Sequence, residues 1–353
     1  MENYMMPNEE ANSFVFVDAN DACTFASTLL IGQGVSANDA QAVAECLVEA
    51  DLRGVQTHGM SRLPIYVKRV EQGLVNPVPN MRFYKPLAAC ASLDGDNGFG
   101  FLVGIRAMRE AIVMAETSGV GVVSAHNSNH FGMAATYLLQ AVAAGYFAFV
   151  FTNAAKSMPP WGGREGLFGT SPLGAAAPAG KLPPFVLDMS PAVAARGKIR
   201  LAEKRSESIP EGYALDENGQ STTDPTAALR GVVLPIGTYK GSGISMLMEI
   251  LSGVFSGANF AGDVPDQYTV MDRPQNVGHF FMAMKPGLFV TEQGFRARMD
   301  TLISRVKANP LASGFDEILI PGEIEARLEN ERRKTGIPYA CSDLELLAKL
   351  ASD

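Results

Sequence analysis

Residues 120–152 read VGVVSAHNSNHFGMAATYLLQAVAAGYFAFVFT. Residues 120–125 are an apolar run of strand length, rich in valine. Residues 133–144 carry apolar side chains at helical spacing, and residues 147–152 form a second apolar run. The polar connection SAHNSNHFG, residues 124–132, joins the first run to the helix. Strand, helix and strand in succession predict an α/β unit.

The alternation continues on both sides. Residues 88–92, 173–178, 185–187 and 278–284 read as strands, and residues 102–117, 191–203 and 241–256 as helices. Residues 213–223, centred on Asn218-Gly219, read as a hairpin. Towards the N-terminus, residues 36–53 form a helix capped by Ser36 with Asp39 and stopped at Gly54. A second helix covers residues 61–72, its start fixed by Pro64, which fits only the first turn. Residues 291–308, 322–335 and 342–351 are helical and more charged. They are expected to return to the N-terminal helices. The expected organisation is an α/β domain over residues 86–309, a mixed sheet flanked by helices. A helical domain from residues 14–85 and 310–353 stands beside it.

Composition narrows the function. A length of 353 residues allows a substantial core, and a net charge of −8 argues against a general binder of nucleic acid. There is no apolar run of membrane-spanning length and no signal segment at the N-terminus. Cys23, Cys46, Cys90 and Cys341 form no CxxC pair and read as reduced thiols. The expectation is a soluble cytoplasmic protein without a membrane partner.

Residues 50–62, ADLRGVQTHGMSR, carry the strongest chemical signal. Histidine exchanges protons near neutral pH, and arginine matches a carboxylate with a planar fork. His58 is the candidate general acid for a keto oxygen, Thr57 a hydroxyl able to orient its ring, and Arg62 the carboxylate clamp. The bland alternative is a histidine filling a loop. His126 and His130 stand four apart, but no third metal ligand lies nearby in sequence. His130 fits the lining of a pocket beyond a strand end, with amides near Gly132 available to a phosphate. Gly98, Gly100 and Gly104 follow GxGxxxG, which fails the dinucleotide fingerprint and reads as packing. Lys240, before Gly-Ser-Gly at a helix start, is a candidate anion site. A non-catalytic anion binder and a metal-dependent lyase remain as alternatives to an oxidoreductase.

In order along the chain stand DLRGVQTHGMSR (51–62), SNHFG (128–132), PWGG (160–163), LFGTSP (167–172), ARGKI (195–199), YKGSG (239–243) and IPGE (320–323). Together these motifs resemble the malate/L-lactate dehydrogenase type 2 family, which is unrelated to the Rossmann-fold dehydrogenases. The resemblance implies a homodimer that uses NAD or NADP on 2-oxo acids or cyclic imino acids, so that the partner is a small carboxylate substrate. It implies His58 as proton donor, Arg62 as substrate ligand, and Thr170, Arg196 and Gly197 lining the substrate site. It implies cofactor contacts at His130, Phe131, Gly132, Met133, Ala134, Asp188, Met189, Ser190, Lys240, Pro321, Gly322 and Glu323. In its ureidoglycolate branch the histidine matching His130 is the base, so two histidines compete for the proton. Lys198 stands where the imino acid branch has an aspartate, which favours a 2-oxo acid. Lys156 lies near a lysine used in the ureidoglycolate branch.

Overall fold

The computed structural model describes residues 14–351. The chain opens with β1 (Phe14–Val17), α1 (Ala19–Gly32), α2 (Ala37–Leu52) and α3 (Leu63–Glu71). It continues through β2 (Arg82–Leu87), β3 (Cys90–Asp94), α4 (Gly100–Ser118), β4 (Val120–Ser128), α5 (Ala134–Ala143) and β5 (Phe147–Thr152). Next come β6 (Leu173–Ala177), β7 (Phe185–Met189), α6 (Arg196–Lys204), β8 (Ala214–Leu215), β9 (Ser221–Thr222), α7 (Pro225–Arg230), β10 (Val232–Val233) and α8 (Tyr239–Glu249). β11 (Val277–Met284), α9 (Glu292–Lys307), α10 (Glu323–Thr335), β12 (Ile337–Ala340) and α11 (Cys341–Leu350) complete it.

Seven strands form a mixed sheet in the order β2-β3-β4-β11-β5-β6-β7. β3 and β4 run parallel, and every other neighbouring pair is antiparallel. β4 and β5, which flank α5 in sequence, are not neighbours. β11 lies between them, with Phe281 opposite Val123 on one side and Val150 on the other. Local spacing identifies strands but not their neighbours, because pairing depends on how distant apolar faces close over one another.

The ends of the chain meet: β1 pairs antiparallel with β12, from Phe14 opposite Ala340 to Val17 opposite Ile337. One apolar cluster runs from Ala26, Leu30 and Leu47 through Val123, Val150 and Phe281 to Ile337 and Leu347. A smaller cluster of Met158, Ile199, Ile209, Ala214, Ala228 and Val233 lies around α6, α7 and the three-stranded sheet β10-β8-β9.

Local chemistry explains the element ends. Ser36 Oγ accepts from the Asp39 amide at 3.2 Å and donates to Asp39 Oδ2 at 2.8 Å, capping α2. Pro64 sits in the first turn of α3, ahead of which come two 3₁₀ turns, Gln56–His58 and Met60–Arg62. The expected hairpin forms between β8 and β9 around an Asp216–Gly219 turn. Three expectations shift. α6 starts at Arg196 rather than 191, because the preceding segment bridges to residues 234–235. The helix expected over 241–256 starts at Tyr239 and passes into a π turn, Ile250–Val254. β2 has no counterpart in the sequence reading, since its exposed edge position shows no clean alternation.

Candidate active site

The loop after α2 is held by a buried carboxyl. Asp51 Oδ2 accepts from the Met60 amide at 2.8 Å and from the Tyr339 hydroxyl at 2.8 Å. Burial pushes the Asp51 pKa up to about 7 against these bonds. A Cβ at Gly59 would stand 1.9 Å from Asp51 Oδ1, so only glycine lets the loop lie this close.

His58 ends the first 3₁₀ turn. Thr57 Oγ1 is 2.9 Å from His58 Nδ1, which gives the threonine its expected place beside the ring. Arg62 Nε donates to Thr57 O at 2.6 Å, and Arg62 Nη1 donates to the Tyr268 hydroxyl at 2.5 Å. The guanidinium carbon lies 5.3 Å from the Tyr268 ring centroid. Burial first and the Arg62 charge second lower the His58 pKa to about 4, so the imidazole is neutral at pH 7.

His130 joins this group from the other side. Its ring stacks on His58 with centroids 5.5 Å apart and an interplanar angle of 27°. His130 Nδ1 lies 2.7 Å from the Tyr66 hydroxyl and 3.3 Å from the Gly132 amide nitrogen. Its own amide donates to Gln275 Oε1 at 3.3 Å. The strand end behind it is fixed. Ser128 Oγ and Thr152 Oγ1 bond the two ring nitrogens of buried His279 at 2.8 and 2.7 Å. Phe131 stacks on His279 at 4.8 Å. A Cβ at Gly100 would meet Asn129 O at 2.1 Å, and one at Gly104 the Tyr137 ring at 2.5 Å. These two glycines of the GxGxxxG run therefore serve close packing of α4.

A neutral imidazole, a guanidinium, a second imidazole and two phenols thus converge on one small volume. They suit the anchoring of a carboxylate and the exchange of a proton with a neighbouring oxygen. The sequence pattern of the malate/L-lactate dehydrogenase family matches residues 17–348. The chain belongs to the malate/L-lactate dehydrogenase family.

Among its relatives, an L-sulfolactate dehydrogenase from Methanocaldococcus jannaschii is 40% identical over 300 residues, covering 85% of this chain and 86% of the relative. A malate dehydrogenase from Pyrococcus abyssi is 35% identical over 347 residues, covering 96% and 95%. The solved sulfolactate dehydrogenase of M. jannaschii superposes with a TM-score of 0.91 at 36% identity, over 96% of this chain and 97% of that one. Further relatives are named for NADP(+), a (2R)-3-sulfolactate dehydrogenase from Chromohalobacter salexigens, and for NAD(+), a ureidoglycolate dehydrogenase from Escherichia coli. The expectation of an oxidoreductase acting on a 2-hydroxy acid holds at the level of the family.

In this member of the malate/L-lactate dehydrogenase family the remaining expected residues, Gly132 excepted, make no hydrogen bond to His58, Arg62 or His130 among the described residues. Phe131, Met133 and Ala134 are buried in the core. The phosphate site expected at the α5 entrance is already filled. The Gly132 amide is bonded to His130, and the Ala135 amide donates to Asp188 Oδ2 at 2.8 Å. Met189 ends β7, and Ser190 Oγ accepts from the Ala192 amide at 3.1 Å. Pro321 O accepts from Val186 N at 3.0 Å, which sets residues 320–323 against β7. Gly322 has φ 89°, a glycine conformation. Glu323 is committed to Lys307 at 2.7 Å and Arg327 at 2.6 Å. Burial opposes its ionisation, but Lys307, the Ile320 amide and Arg327 outweigh it and bring the pKa to about 2. Lys240 is exposed on the first turn of α8 and makes no ion pair among the described residues.

Arg196 donates to Leu229 O at 2.5 Å and Gly231 O at 3.5 Å, anchoring α6 on α7. Gly197 is exposed with open space around it, and Thr170 is partly buried in the β5–β6 connection. Among the described residues none of these three bonds to His58, Arg62 or His130. His126 lies in β4 near Asp94, and no three potential metal ligands converge among the described residues. Tyr66, Tyr268, Gln275 and His279 escaped the sequence reading. Tyr66, four residues after Arg62 on α3, alone carried a local signal.

Proposed function

We propose that this chain is an NAD(P)-dependent oxidoreductase that interconverts a small 2-oxo acid and its 2-hydroxy acid, with His58 moving the proton and Arg62 binding the carboxylate. One observation carries the assignment: Thr57 bonds Arg62 through its carbonyl and His58 through its hydroxyl, so anchor and proton carrier are set side by side. A substrate carboxylate on Arg62 offsets the positive charge that helps hold His58 neutral. The proton affinity of His58 then rises when substrate binds, which is when the oxygen needs a proton. Tyr66 and Tyr268 flank the same group of side chains, through His130 and Arg62 respectively.

The nicotinamide supplies or accepts the hydride when bound. The donor set fits such a group: Lys240 is an exposed cation with no ion pair among the described residues, suited to a phosphate, and Pro321 and Gly322 lie against Val186 of β7, the strand that Met189 ends and Ser190 follows. Lys198, exposed on α6, supports a 2-oxo acid over a cyclic imino acid. The homodimer reading is supported by exposed Met246, Leu247, Val254 and Phe255 on α8 and the turn after it.

The test is cofactor absorbance at 340 nm with NADH and NADPH against panels of 2-oxo acids and cyclic imino acids. Oxidation of cofactor by a 2-oxo acid is expected. Turnover only with imino acids overturns the substrate class, and none with either panel overturns the activity.

A further inference from the structure

Two hydrogen-bond donors reach the same ring nitrogen of His130. The Tyr66 hydroxyl lies 2.7 Å from Nδ1, and the Gly132 N–H points at that atom with its nitrogen 3.3 Å away. A backbone amide only donates. Nδ1 therefore keeps its lone pair, the Tyr66 hydroxyl is a donor too, and the single ring proton resides on Nε2. We infer that His130 is held as the neutral Nε2–H tautomer and acts as a fixed hydrogen-bond donor to the substrate oxygen, with Tyr66 as its positioning residue and His58 alone carrying the proton. This rests on the 2-oxo acid reading above.

The surroundings favour the same state. Burial comes first, and the charges that bear on the ring are Arg62 and His58 from the loop before α3 and His279 from β11. All three would be positive when protonated, and they hold the imidazolium of His130 well below its ordinary range. Burial keeps the Tyr66 phenol protonated, so it remains a donor. The Gln275 contact and the Phe131 stack immobilise the backbone on either side of the ring. Were Tyr66 an acceptor instead, Nδ1 would carry the proton and the Gly132 N–H would face it head-on.

The step balances with one mobile proton. In reduction, a bound reduced cofactor would supply the hydride that the carbonyl carbon gains as a C–H bond, and the C=O π pair would move onto oxygen. That oxygen takes the proton of His58, which is left neutral. His130 keeps its Nε2 proton throughout and stabilises the charge growing on oxygen, as an oxyanion-hole donor does.

Imidazole ¹⁵N spectra of the ligand-free protein test the tautomer without turnover. From roughly pH 5 to roughly pH 9, His130 should show a bare Nδ1 and a protonated Nε2. Tyr66→Phe should admit the second tautomer to the spectrum and lower kcat by roughly tenfold, with KM for the cofactor unchanged. His130→Gln, which keeps an N–H at the ε position, should retain the pH dependence set by His58, whereas His130→Ala loses about 10²-fold in kcat. A bare Nε2, an imidazolium forming within that pH range, or loss of the pH limb in His130→Gln overturns the inference. If the wild-type protein reduces no 2-oxo acid, the functional reading fails, while the spectra still decide the tautomer.

Discussion

At the scale of single residues, the site is governed by which imidazole is free to change charge. His58 has a pKa of about 4, set by burial and by Arg62. Since kcat/KM reports groups of the free enzyme, its value for 2-oxo acid reduction should fall about tenfold per pH unit above about pH 4. With His58 as the proposed proton carrier, the oxidative direction uses the neutral ring, so kcat/KM should be level above that point. Arg62→Gln removes a positive neighbour and should move the His58 titration upward, as read by ¹⁵N spectra; an unmoved titration would remove Arg62 as the second cause. His58→Ala should cut turnover by at least about a hundredfold with cofactor affinity retained. Near-normal turnover in that variant would remove His58 from the mechanism.

At the scale of elements, the last turn of α2 and the loop after it act as one piece. Asp51 binds the Met60 amide inside the loop, while its backbone carbonyl receives Arg332 from α10 and its carboxyl receives Tyr339 from β12. The C-terminal elements thus fix the height of His58. Gly59→Ala would drive a methyl into the Asp51 carboxyl. Overpacking of this kind costs about 1–3 kcal/mol. The variant should show both a lower melting temperature and a fall in kcat. A variant that loses stability but keeps kcat would show that the loop does not depend on this contact. The motif DLRG-x-x-THG-x-x-R is legible locally because caps, a glycine stop and a proline-started helix leave marks in sequence. The carboxyl behind it is not, because nothing near Asp51 in sequence shows that its partners stand 281 and 288 positions away.

At the scale of the whole molecule, stability depends on histidines that fold uncharged. His279 is fully buried between Ser128 and Thr152, and burial lowers its pKa to about 3. The unfolded chain, with a histidine pKa of about 6.5, binds more protons in between. The stability from keeping this ring neutral is full above about pH 6.5 and is lost as pH falls towards about 3. Asp51 acts oppositely: with its pKa raised to about 7, the fold loses stability as pH rises from about 4 to about 7. His279→Gln should therefore flatten the acid limb by about 1.4 kcal/mol per pH unit between pH 6 and pH 4 in urea titrations. An unchanged slope would show that His279 is not the group taking up the proton. The exposed apolar side chains of α8 and the turn after it, proposed as a dimer face, lead to one more expectation. Phe255→Asp should shift the mass in solution from dimer to monomer by light scattering, and a wild-type monomer would exclude the homodimer.

The alternation of strands and helices, the capped helix ends and the closeness of His58 and Arg62 to Thr57 follow from the amino-acid sequence alone, because each depends on residues within a few turns of one another. The insertion of β11 between β4 and β5 was decided only by tertiary structure, as was the meeting of β1 with β12. So was the Tyr66–His130 bond, and so was the filling of the α5 entrance by His130 and Asp188. Each of these joins groups distant in sequence or turns a local donor toward one of several acceptors. Such choices are made by the closing of apolar faces and the pairing of buried polar atoms, neither of which any short stretch of chain encodes by itself.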